Sequence, residues 1–305
     1  MYYNINMNIN KWIEKNCSDL SNKTIAITGS TGGLGRCVCR YLVKSNANLI
    51  LIDRDTDKAK AQANELISIN PNINIDIITC ELTDFSSVKL AIEKLNEIQF
   101  NVLILNAGAY NIPINKTNLG YNNVFQINFL SQYYMVKKLL PKLRKQSDAK
   151  VIALGSIAHD YSKINENDID FSLEKRASKI YGNSKRFLMF SLYELFKNED
   201  KVKLSIVHPG VTLTNMTNHY PKAINWLVKF GIKILFPSVN KASLNILYSI
   251  YHSCGYHEWI GPKIFDIWGQ PTIKKLKTCS SLESKKIFDV SENLYNLINK
   301  SSSNC

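Results

Sequence analysis

The chain has 305 residues, 45% of them apolar, enough to bury one large core, and no apolar run of about eighteen residues that would cross a bilayer. Its 38 basic against 25 acidic residues give a formal charge of +13, but the cations are dispersed without interleaved aromatics, which sets nucleic-acid binding below a solvated lysine-rich surface. Seven cysteines, at 17, 37, 39, 80, 254, 279 and 305, form no Cys-x-x-Cys pair and meet no histidine at ligand spacing, so reduced thiols and no metal are expected. The segment Met1–Asn10 lacks the charged, apolar and small-residue regions of a signal peptide, which makes a cytoplasmic location the expectation.

Along the chain, short apolar strands alternate with amphipathic helices. Thr24–Thr28 reads as a buried strand, Gly33–Lys44 as a helix, Asn48–Asp53 as a second strand and Thr56–Ile69 as a second helix. Asn74–Thr79 and Ser86–Asn96 continue the rhythm, and Phe100–Leu105 is a fourth strand. A long helix from about Tyr121 to Leu140 leads into the strand Lys150–Leu154, and a helix over Ile180–Phe196 into the strand Lys203–Val207. Strands joined through helices need right-handed crossovers, and the result is a single-domain α/β fold, a doubly wound and mostly parallel Rossmann sheet between two helical layers. An N-terminal extension over 1–22, a core over 23–270 and a C-terminal helical tail over 271–305 are expected.

The run Thr28-Gly29-Ser30-Thr31-Gly32-Gly33-Leu34-Gly35 sits where the first strand turns into the first helix. Glycines there let the backbone turn tightly and approach a pyrophosphate, whose charge meets the amides of the helix N-terminus. Asp53 lies 18 residues after Gly35 at the end of the second strand, where a carboxylate can accept ribose hydroxyls and repel a 2′-phosphate. Arg54 follows it and would instead grip that phosphate. The balance leans toward NAD(H), with NADP(H) as the alternative.

Tyr181 and Lys185 are four residues apart, so a helix puts phenol and ammonium on one face, where the positive charge favours the phenolate and lowers the tyrosine pKa. Such a pair is by itself usually a core aromatic beside a solvated lysine. Its weight comes from the glycine turn that precedes it.

With these motifs the sequence resembles the short-chain dehydrogenase/reductase family from about residue 23 to beyond 260. Thr28, Gly29, Gly33 and Gly35 match that family's Thr-Gly-x-x-x-Gly-x-Gly pattern, and Asn106-Ala107-Gly108 its Asn-Asn-Ala-Gly motif, with Leu105 in place of the first Asn. The resemblance implies a catalytic tetrad of Asn128, Ser156, Tyr181 and Lys185. It also implies cofactor contacts from Thr31 and Leu34 in the turn, from Glu81 and Leu82 at the adenine, and from Pro209, Gly210 and Thr214 at the nicotinamide carboxamide. Ala158-His159 after the serine, together with Trp259-Ile260-Gly261-Pro262 and Ile287-Phe288-Asp289, is similar to the retinol dehydrogenase and WW-domain oxidoreductase-like branch, which implies a small lipophilic alcohol or carbonyl substrate.

In that setting Tyr181 is the general base for oxidation and the general acid for reduction. Ser156 donates to the substrate oxygen as charge develops on it. Lys185 lowers the tyrosine pKa and bonds the nicotinamide ribose, and Asn128 holds a water that links Lys185 to solvent. His159 reads as a pocket or loop histidine and His208 as structural. Residues 215–236 read as a substrate lid, with Lys222, Asn225, Lys229 and Lys233 on one helical face; peripheral contact with an anionic membrane is the lesser reading of that helix. The family's habit of pairing through the helices bearing Asn128 and Tyr181 suggests a homodimer. A sugar-nucleotide epimerase or dehydratase of the extended type and a non-catalytic nucleotide-sensing scaffold are the alternatives, set below the oxidoreductase by Asn106-Ala107-Gly108 and the complete tetrad.

Overall fold

The computed structural model describes residues 8–210 and 237–302. Eight strands form one sheet in the order β3-β2-β1-β4-β5-β6-β7-β8. The first six are β1 (Thr24–Thr28), β2 (Asn48–Asp53), β3 (Ile75–Thr79), β4 (Val102–Leu105), β5 (Ala149–Leu154) and β6 (Val202–Val207). All six are parallel; β7 (Glu258–Ile264) joins β6 in the same sense, and β8 (Trp268–Lys275) returns antiparallel along it.

Successive side chains of a strand face opposite sides, and here this alternation divides the interior into two cores. Ala26, Ile50, Leu103 and Val151 face one side. There they meet α4 (Phe85–Glu97), α6 (Ser131–Leu143), α7 (Ala177–Leu195) and α9 (Ser281–Ser302). Ile25, Ile27, Leu49, Leu51 and Ile152 face the other, against α2 (Gly33–Lys44), α3 (Thr56–Ile69) and α8 (Val239–Tyr251). Apolar burial on both faces is why these strands read as nearly continuous apolar runs.

Several expected elements take a different form. The helix expected over Tyr121–Leu140 is present and runs without a gap from α5 (Asn123–Phe125) into α6, but it carries a π-helical turn at Gln126–Leu130 between them. The tail is not wholly helical, because residues 271–275 complete β8 before α9 starts at Ser281. The N-terminal extension carries α1 (Ile9–Asn16), capped by the Asn8 side chain and anchored by buried Trp12 beside Tyr248 of α8. Thr214 and the lid expected over 215–236 lie outside the described residues.

Sequential strand order reverses between β1 and β4, and the carboxyl ends of these strands open the crevice in which doubly wound sheets place their ligands. Thr28 and Leu105 are the last residues of the two strands. Every candidate site residue within the described segments lies at or near this end of the sheet.

Candidate active site

The two glycine motifs are stitched together at the switch point. Thr28 Oγ1 accepts the backbone N–H of Asn106 and of Ala107, each at 3.0 Å, while Asn106 Nδ2 donates to the carbonyls of Thr28 at 3.0 Å and Gly29 at 2.8 Å. Gly29 has φ +65, and a Cβ there would lie 2.9 Å from Ala107 Cα. Gly35 lets the first turn of α2 pack on the carbonyls of Gly29 and Ser30. Leu34 is buried beside it, whereas Gly33 is exposed with nothing near its missing side chain. The N-cap of α2 is Gly32, which offers no side-chain acceptor to the first amides. These features form a cradle into which a phosphate fits.

Asp53 has a task that sequence alone did not reveal. Its Oδ2 accepts the backbone N–H of Ser30 at 3.0 Å and a short bond from the Ser30 hydroxyl; its Oδ1 accepts Thr31 N at 3.2 Å and Thr31 Oγ1 at 2.7 Å. A carboxylate has about four acceptor sites, so the buried Asp53 is saturated by the turn it braces. The ribose contact expected from sequence would have to share Asp53 with this turn. Arg54, with its side chain 77% exposed, lies 4.0 Å from Glu81 Oε2, whose other oxygen accepts Thr83 N and Oγ1. The Leu82 side chain belongs to the core, and its carbonyl accepts Gln126 Nε2 at 3.0 Å and Ser131 Oγ at 2.7 Å.

Tyr181 and Lys185 lie one turn apart on α7, facing Ser156 at the end of β5. The Ser156 hydroxyl accepts Ala158 N at 3.2 Å and lies near enough to the Tyr181 phenol to lower its pKa. Lys185 Nζ donates to Leu154 O at 2.7 Å and stands 5.8 Å from the centre of the Tyr181 ring. Asn128 sits in the π turn. Its Oδ1 accepts Ala109 N at 2.7 Å, and its Nδ2 donates to Ala109 O and Ser184 Oγ, each at 2.9 Å. A Cβ on Gly108 would lie 3.3 Å from Asn128 Oδ1 and 3.7 Å from Lys185 Nζ, so this glycine keeps the space between the two motifs open.

Burial pushes the Tyr181 phenol up to about 12, against the lowering effect of the nearby Ser156 hydroxyl and with Tyr110 and Tyr161 adding to the rise. Burial also brings the Lys185 ammonium down to about 8. The expectation that Lys185 depresses the tyrosine is therefore not met in this arrangement. The ammonium is spent on the Leu154 carbonyl and lies over the ring face, while desolvation dominates at the hydroxyl.

The remaining residues fall into place around this centre. Gly210, with φ +88, follows Pro209, and a Cβ there would lie 3.2 Å from Pro262 Cγ. His208 is buried, stacked on Trp259 and lowered by burial to about 4, as a structural histidine would be. His159 is equally buried and bonded at both ring nitrogens, which makes it a packing residue of the post-serine turn. Sequence reading missed Tyr110, edge-on to Tyr181 at 5.2 Å, although it stands two residues after Gly108. Among the described residues no cluster of three or more His, Cys, Asp or Glu side chains is placed to hold a metal.

Fold and site together define a dinucleotide-binding α/β protein with a serine, tyrosine and lysine at the mouth of its crevice. The model of the short chain dehydrogenase family matches residues 23–225. The chain belongs to that family, a class of NAD(P)-dependent oxidoreductases. It is 29% identical over 209 residues to retinol dehydrogenase 12 of Mus musculus, a match covering 67% of this chain and 66% of that one. It is 30% identical over 247 residues to an uncharacterized oxidoreductase of Schizosaccharomyces pombe, covering 76% and 71%. Polyprenol dehydrogenase of Homo sapiens is 25% identical, with 68% and 65% covered. The match thus spans about two thirds of the length of these curated relatives. Among solved structures, an uncharacterized protein from Mycobacterium Paratuberculosis aligns with TM-score 0.73 at 22% identity, covering 92% of this chain and 95% of that chain. A short-chain dehydrogenase from Sphingobium yanoikuyae in complex with NADPH aligns with TM-score 0.58 at 20% identity, covering 75% and 84%, which shows the shared fold.

Proposed function

We propose that the chain interconverts a hydroxyl and a carbonyl group on a small lipophilic substrate, with Tyr181 as general acid and base. The observation that carries this reading is the convergence of Ser156, Tyr181 and Lys185, the last one helical turn beyond Tyr181 and bonded to Leu154 O beside the glycine cradle. The dinucleotide, when bound, supplies or accepts the hydride. Tyr181 holds the proton that must move with it, so in reduction its phenol donates to the carbonyl oxygen and in oxidation it takes the proton back. Ser156 donates to the same oxygen as negative charge grows there. Asn128, fixed by three hydrogen bonds, holds Ala109 and Ser184 in place behind Lys185.

The state of Asp53 supports NADP(H) over the NAD(H) expected from sequence. Its lone pairs are occupied by Ser30 and Thr31, while the guanidinium of Arg54 is exposed at the mouth of the second strand. The retinol and polyprenol named for two relatives support a lipophilic substrate. The six described cysteines are all free, which supports a reducing, cytoplasmic setting, and no helix among the described residues is long and apolar enough to cross a membrane. Pairing of two copies through α6 and α7 would have to use a face other than the one α9 covers, where Tyr133 and Lys137 both engage Glu292.

The test measures reduction of all-trans-retinaldehyde by wild type and Tyr181→Phe, with NADH and NADPH titrated in parallel at fixed salt. Loss of turnover by a factor of about 10²–10⁴ with cofactor affinity retained is expected. A Tyr181→Phe protein as active as wild type would remove the proton-transfer role.

A further inference from the structure

Arg186 follows Lys185 directly on α7, yet it points away from the crevice and is the largest fully buried side chain of the described residues. A buried guanidinium is tolerated only when its donors are met. Here Nε donates to Glu283 Oε1 at 2.8 Å and Nη2 lies 2.7 Å from Glu283 Oε2, a two-point contact with the first turn of α9. Nη1 donates to His159 O at 3.0 Å and Nη2 to Thr278 O at 3.1 Å. One cation therefore ties together three segments: the catalytic helix, the turn after Ser156 and the start of the C-terminal segment.

A second chain of bonds runs parallel to the first. His159 Nδ1 lies 2.5 Å from Ser156 O, and Nε2 lies 2.5 Å from Thr278 Oγ1. A carbonyl can only accept, so Nδ1 carries the hydrogen; burial keeps the ring neutral, and Nε2 must then accept from the Thr278 hydroxyl. The direction is thus Thr278 to His159 to the backbone of Ser156. Gly182, next to Tyr181, lacks the side chain that would strike Ala158 O, and this lets α7 press on the same turn.

We propose that Thr278 and Glu283, acting through His159 and Arg186, are positioning residues that hold Ser156 in register with Tyr181. The C-terminal segment, which lies beyond the residues matched by the family model, is then a supporting wall of the active site. This rests on the oxidoreductase reading above. The last ladder bond runs from Gly155 N to Val207 O, so from Ser156 onward the backbone depends on its own turn, where Ser156 O accepts both His159 N and His159 Nδ1, and on the contact of that turn with α7. A misplacement of about 1 Å at such a point can cost up to about 10²-fold in rate.

The experiment compares wild type, Thr278→Val, Thr278→Ser and Glu283→Gln in the full chain. The readouts are retinaldehyde reduction with NADPH, NADPH affinity by fluorescence, and amide hydrogen exchange of the peptide covering 155–162. Thr278→Val removes the donor to His159 at constant shape. It is expected to lower kcat about tenfold with NADPH affinity within about twofold and to speed exchange in 155–162, while Thr278→Ser restores both. Glu283→Gln keeps the shape but not the charge and is expected to act in the same direction. Unchanged kcat and exchange in both Thr278→Val and Glu283→Gln would overturn the proposal. So would a loss of rate that follows a matching loss of NADPH affinity and is not rescued by Thr278→Ser. If wild type reduces no probe carbonyl, the oxidoreductase reading fails, and the exchange comparison alone still decides whether the C-terminal segment holds Ser156.

Discussion

Replacing Lys185 by methionine is expected to abolish turnover and, at neutral pH, to make the protein more stable. Lys185 is only 3% exposed, and among the described residues no carboxylate lies within salt-bridge distance of it. Its ammonium has the Leu154 carbonyl as acceptor, and burial alone brings its pKa from 10.5 down to about 8. The unfolded chain binds the proton more tightly than the fold does. Below about pH 8 the folded protein therefore carries the full cost of a buried charge, about 3 kcal/mol for this lowering. Between pH 8 and 10.5 the folded lysine is neutral while the unfolded one is still charged, so stability rises with pH and the cost disappears. Methionine removes the charge and keeps the bulk, but forfeits the bond to Leu154, worth about 1 kcal/mol. The balance is a gain of about 2 kcal/mol at pH 7, falling below about 1 kcal/mol by pH 9.5. Urea denaturation of both proteins at the two pH values measures it. A variant less stable than wild type at pH 7, or a difference that does not shrink with pH, would refute the reasoning.

Gly35→Ala places a Cβ against the carbonyls of Gly29 and Ser30 and 2.9 Å from Asn106 Nδ2. Overpacking of about 1–3 kcal/mol is expected, with NADPH affinity reduced at least about tenfold in a fluorescence titration. Arg54→Gln is expected to raise the Kd for NADPH about tenfold and leave that for NADH unchanged, because only the 2′-phosphate needs the charge; equal loss for both cofactors would assign Arg54 elsewhere. Trp12→Ala removes the buried anchor of α1 against α8 and is expected to cost about 3 kcal/mol in chemical denaturation with turnover retained.

Much of the architecture is local and could be read directly. Strands such as Asn48–Asp53 and Ala149–Leu154 are short apolar runs because both faces of a parallel strand are buried, and the glycine turn shows in the left-handed backbone that Gly29 adopts at φ +65. Tyr181 and Lys185 share a helix face by spacing alone. The edge of the sheet was less legible. In β7 and β8, glycines and two prolines interrupt the apolar pattern, and tertiary pairing, of β7 with β6 and of Pro262 opposite Pro271, makes strands of them. The π turn at Gln126–Leu130 also escaped, since one extra residue in a helical turn leaves no mark in a periodicity of 3.6.

The amino-acid sequence by itself determined the fold class, the glycine cradle and the order in which Asn128, Ser156, Tyr181 and Lys185 follow it, because these depend on neighbours close along the chain. Tertiary structure alone decided what the charged groups do. Asp53 spends its lone pairs on a turn 22 and 23 residues upstream, Lys185 donates a hydrogen bond to a carbonyl 31 residues away, and Arg186 finds its counter-ion 97 residues further on. Electrostatics and hydrogen bonding act through space over a few ångströms, so the partner that sets a buried group's charge and role is fixed only when the chain has closed around it.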